Sequence, residues 1–129
     1  MRRLTLLTVL VLSLLSTPVF ADWTKVSKNV NGDTFYVDFE RIRKHGGYVY
    51  WWVLIDYLKP SEQGDLSDKT YAQGDCKLFR YKWLSYSFYK EPMGRGTGET
   101  DNKPDKEWNY PPPNSTIEET LKRVCAYVK

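Results

Sequence analysis

Between positions 77 and 83 basic and aromatic residues interleave: Lys77, Arg80 and Lys82 stand among Phe79, Tyr81 and Trp83. Rings and guanidinium groups dominate contact surfaces, because each brings a large contact area and attracts the other. A surface of this kind suits acidic partners, either a protein segment or an acidic glycan. Lys77, Arg80, Lys82 and Trp83 are therefore the candidate binding residues. The competing reading makes the aromatics core and lets the basic ends snorkel to water.

Catalytic chemistry finds less to work with. The single histidine, His45, sits between Lys44 and two glycines, Gly46 and Gly47, which marks a turn. Asp56, Asp65, Asp68 and Asp75 fall in no pattern that selects a pair for acid and base work. The MGRGTG segment at 93–98 resembles a phosphate loop only superficially, since it continues into Glu99, Thr100 and Asp101 rather than into a lysine and a helix. It reads as a flexible hairpin tip. No enzyme, catalytic residue, metal or cofactor is expected.

The N-terminus fixes the compartment in which the two cysteines act. Arg2 and Arg3 precede an apolar run from Leu4 to Leu15, and Val19, Phe20 and Ala21 form a small-residue boundary. This is the pattern of a secretory signal cleaved after Ala21, and the run is short for the ~20 residues of a spanning helix. Residues 1–21 are thus read as the signal peptide and 22–129 as one domain, with no transmembrane segment in the mature chain. Asp22 follows the cut where a lipoprotein would need cysteine. Without Arg2 and Arg3 the 19 basic residues fall to within one of the 16 acidic ones. Nucleic-acid binding is not expected from so even a balance. Two cysteines outside a CxxC motif in an exported chain predict one structural disulfide, Cys76 to Cys125.

Elements follow from pattern and punctuation. Val26 and Val30 alternate before Asn31 and Gly32, and Phe35, Val37 and Phe39 alternate after them, which predicts a first hairpin. Residues 40–44, charged around Ile42, predict a short turn or one helical turn over the sheet edge. The run 48–58, rich in Tyr, Trp, Val and Ile, predicts a central strand buried on both faces. Residues 71–89 are too long for one flat strand, so a bulge at Gly74 and a bend near Ser85 are expected. In the proline-rich stretch that follows, Trp108 and Tyr110 are candidates to pin the chain to the body. Ser115 with Glu118 forms a capping box for a final helix whose apolar face holds Ile117, Leu121, Val124, Cys125 and Val128. Packing and disulfide therefore place that helix on the sheet face bearing Cys76. With aromatics on both faces of the sheet, the other face is expected to take cover from a second subunit, as a homodimer.

Several of these stretches occur together in one family. Trp23 with Val26, the Phe35, Tyr36, Val37, Asp38 strand, the Tyr50, Trp51, Trp52, Val53, Leu54 strand and the Asp75, Cys76 pair resemble the surface-adhesin protein E family. Met93 to Gly96, Trp108, Tyr110, Ser115 and the final Val124, Cys125 continue the resemblance over the mature chain. It implies an α+β fold: a curved antiparallel sheet of about six strands with a C-terminal helix on its concave face, tethered by a disulfide. It also implies an exported bacterial binding protein, a surface adhesin for host extracellular-matrix or serum proteins. The alternative is a periplasmic envelope or inhibitor-type protein with no host role.

Overall fold

The computed structural model describes residues 22–129, so the expected signal segment lies outside the described residues. Among the described residues seven antiparallel strands form one open sheet and are followed by one helix. The expected hairpin is present: β1 (Thr24–Lys28) pairs with β2 (Thr34–Val37). Gly32 turns it at φ 87°, and a Cβ there would meet Leu58 at 2.7 Å. Val30 does not continue the strand as expected; it lies in the turn, fully exposed.

After β2 the chain makes a 3-10 turn at Phe39–Arg41 and resumes as the short β3 (Arg43–His45). Both β2 and β3 pair with the central strand β4 (Tyr48–Asp56), so they form one interrupted edge. Beyond β4 come β5 (Ser67–Asp75), β6 (Arg80–Tyr89) and β7 (Gly98–Asp101), giving the order β1-β2-β4-β5-β6-β7 with β3 beside β4. The strand count exceeds expectation by β3 alone.

The long central stretch turns earlier than expected. The hairpin turn lies at residues 76–79, not near Ser85, and the bulge lies at Leu84, where pairing slips between Tyr71↔Ser85 and Ala72↔Trp83. Asp75 makes the turn without glycine or proline. Its Oδ1 accepts the N–H groups of Lys77 and Leu78 at 3.1 and 3.2 Å, and its Oδ2 accepts from Arg80 Nε at 2.9 Å. Burial pushes the Asp75 carboxyl up, but these donors outweigh it and hold the group below its ordinary range. Phe79 closes the turn at φ 53°. Gly74 is an ordinary strand residue whose missing side chain admits others: a Cβ there would lie 2.6 Å from Trp51 and 3.0 Å from Leu121.

Strand alternation sends Val37, Val49, Trp51, Val53 and Ala72 to one face, where α1 (Thr116–Tyr127) covers them with Leu121 and Val124. The first half of the capping box forms, with Ser115 Oγ accepting the Glu118 N–H at 3.2 Å, while Glu118 reaches back one residue further, to the Asn114 N–H, and the Ser115 N–H donates to the Pro112 carbonyl. The Cys76–Cys125 disulfide joins α1 to the β5–β6 turn. At the β1 edge Ser27 Oγ donates to Glu119 at 2.9 Å and Arg123 donates to the Lys25 carbonyl at 3.3 Å, so α1 spans from the β1 edge to the β5–β6 turn.

The segments after β6 are held more firmly than their composition suggests. MGRGTG begins with Met93 donating to Asp56 Oδ1 and Gly94 donating to Ser67 Oγ, both at 2.8 Å, so its start is docked rather than a free tip. Residues 105–109 complete the edge of β6 that β7 leaves open. Tyr81 and Asn109 exchange backbone hydrogen bonds of 2.9 Å, and Asp105 donates to the Trp83 carbonyl at 2.8 Å. Tyr110, expected as an anchor, is 65% exposed.

One buried carboxyl predicts a pH effect. Asp68 is 6% exposed; it accepts hydrogen bonds from Tyr57 and Thr70, yet burial lifts its pKa to about 6 from 3.8. The folded state therefore holds this proton over a pH range where the unfolded state has released it. The contribution to stability is fully present below the ordinary value and lost as pH rises through about 6, amounting to ~3 kcal/mol. Asp68→Asn should abolish that loss. Urea unfolding of both proteins between about pH 4 and 7 checks it, and parallel pH profiles would refute it.

Candidate functional site

The sheet face opposite α1 is the place where rings and cations converge. Pairing of Tyr50 with Gln73, Trp52 with Tyr71 and Gln73 with Lys82 puts these residues on that face together. Tyr71 links the rings: it lies 4.7 Å from Trp52 and 6.1 Å from Tyr50, centroid to centroid. The Tyr50 hydroxyl accepts from Gln73 at 3.0 Å and thereby fixes its ring.

Trp108 extends this row. The backbone bonds of Asn109 and Asp105 to β6 bring its indole against Tyr48, with centroids 5.2 Å apart. Arg80 and Lys82 then lie over the Trp108 ring at 4.4 and 4.9 Å. The result is an aromatic surface with two cations held in place by it. Such a surface binds flat apolar groups and negative charge at the same time, since the rings are already fixed and little entropy is lost.

The four residues singled out from sequence separate. Arg80 and Lys82 come together on this face. Trp83 points the other way, packs against the core and meets Tyr81 edge-on at 5.0 Å. Lys77 is exposed in the hairpin turn, with its backbone N–H tied to Asp75. Trp83 thus takes the core position that the competing reading gave the aromatics, while Arg80 and Lys82 lie over Trp108 on the opposite face. Tyr48, Tyr50, Tyr71 and Trp108 were not singled out as binding residues. Alternation within residues 48–58 carries the signal for the first two; Trp108 has none beyond its type.

Among the described residues no helix is long and apolar enough to cross a membrane. The family model described as surface-adhesin protein E matches residues 23–126. Comparison with curated protein sequences finds no match. Among solved structures, crystal form II of Haemophilus influenzae protein E is similar at TM-score 0.65 and 24% identity, covering 88% of this chain and 94% of that one. A further structure of Haemophilus influenzae protein E gives TM-score 0.62 and 23% identity, covering 85% and 88%.

Proposed function

This chain belongs to the surface-adhesin protein E family, and from that membership we propose that it is an exported bacterial binding protein that recognises host extracellular-matrix or serum proteins at the cell surface. The observation that carries the reading is the helix-free face, where Tyr48, Tyr50 and Trp108 stand beside Arg80 and Lys82. In this reading that face is the contact surface, and acidic segments of the partner meet the two cations. The same face could also accept a second copy, and sedimentation at micromolar concentration distinguishes a homodimer from a monomer.

Two experiments test the reading. Protease treatment of intact cells should digest the protein; protection until the outer membrane is disrupted would place it in the periplasm and end the host-adhesion reading. Trp108→Ala combined with Lys82→Ala should weaken capture of matrix proteins about tenfold or more, the effect of losing a contact hot spot. Unchanged capture by a folded variant would move the contact surface elsewhere.

A further inference from the structure

On the same face, at the β2 end, the sheet surface deepens into a cavity of about 290 Å³. Trp23 and Trp52 supply aromatic walls, and Asp38, Arg41, Lys69 and Tyr89 supply the polar lining. Trp23 arrives there because the next residue, Thr24, pairs with Val37, which sets the indole beside Asp38. We propose that this cavity seats one carboxylated sugar residue of a glycan.

Three features of the lining each ask for a different part of such a ligand. Asp38 is 1% exposed, and while its Oδ2 lies 3.4 Å from Arg41 Nε, its Oδ1 has no hydrogen-bond partner. A buried acceptor left this way is costly, and a ligand hydroxyl can satisfy it. The second feature is the cation pair. Gly94 allows the Lys69 stem to pass, since a Cβ there would lie 2.4 Å from Lys69 Cε, and the ammonium rests 4.9 Å from the Tyr89 ring centre. Burial, followed by the nearby Arg41 charge, lowers the Lys69 pKa. Two cations against one carboxylate leave a net positive site, and a carboxylate ligand relieves their repulsion. The indole walls take the flat apolar face of a pyranose ring.

A carboxylated sugar carries all three parts, as neighbours on one ring. Phosphate has no apolar face, a neutral sugar leaves the cations unmatched, and a fatty acid has no hydroxyl donors. A cavity at the lower end of the ligand-pocket range fits a single ring rather than a long segment. The row of rings from Trp52 through Tyr71 to Tyr50 then offers a path for the rest of the glycan.

The test titrates the protein with N-acetylneuraminic acid and with glucuronic acid, with glucose and inorganic phosphate as comparators, followed by tryptophan fluorescence and calorimetry. The acid sugars should bind about tenfold or more tighter than either comparator, and Lys69→Gln or Arg41→Gln should each weaken them about tenfold with melting temperature unchanged. Acid sugars that bind no tighter than glucose or phosphate overturn the proposal. So does binding retained in both variants. The proposal rests on the helix-free face being the recognition face, and the Trp108→Ala, Lys82→Ala protein separates the two claims. Matrix capture that depends on Trp108 while acid sugars fail removes only the sugar seat; sugar binding that depends on Lys69 while capture ignores Trp108 removes only the protein-contact reading.

Discussion

Replacing both Cys76 and Cys125 with serine is expected to lower the unfolding free energy by about 4 kcal/mol. The two residues are 49 apart in sequence, so the bond removes a large part of the freedom of the unfolded chain. In the folded state it secures a helix whose fully buried apolar contribution is small, chiefly Leu121 and Val124. A domain of this size has about 5 to 15 kcal/mol in all, so the loss would consume a large share. Urea unfolding with and without reductant measures it. A midpoint that does not move on reduction, or on double substitution, would show that packing alone holds α1.

The second large effect lies where Gly74, Trp51 and Leu121 meet. Leu121→Ala should cost about 3 kcal/mol, because Leu121 is fully buried against close-packed neighbours. Gly74→Ala should cost about 2 kcal/mol for the opposite reason, since the added Cβ would lie 2.6 Å from Trp51 and 3.0 Å from Leu121. The double variant should be less damaged than the sum by about 1 kcal/mol or more, as the space vacated by Leu121 lets Trp51 yield to the new methyl. Denaturant melts of the four proteins give the coupling directly. Strict additivity would mean that the three residues do not share one packing site.

Much of the fold was legible because it rests on local signals. Asn31 with Gly32 marks the first hairpin, the aromatic and β-branched run marks β4, and Ser115 with Glu118 marks the start of α1. The two cysteines connected helix to sheet without any structural knowledge. The misplaced turn shows the limit: residues 76–79 contain neither glycine nor proline, and the device that bends them is the Asp75 carboxylate standing in for a backbone acceptor. An aspartate at the end of a strand is too common to announce this. The bulge at Leu84 is likewise set by its partner strand. The candidate face was half visible, since alternation already separated Arg80 and Lys82 from Trp83. The cavity was not visible at all. Trp23, Asp38, Lys69 and Tyr89 come from separate stretches of chain and meet only through strand register, which no spacing in the sequence records.

The bridging position of α1 also governs when the protein can fold. The helix is the last element of the chain, and its hydrogen bonds to β1 join residues 92 and 98 positions apart. A chain that emerges N-terminus first cannot finish its core until nearly every residue has appeared. Contacts of such long range make folding slow, in the range of milliseconds to seconds for sheet-dominated domains. Delay of this sort leaves the newly emerged sheet open to pairing with other chains, against which its covered β6 edge protects it.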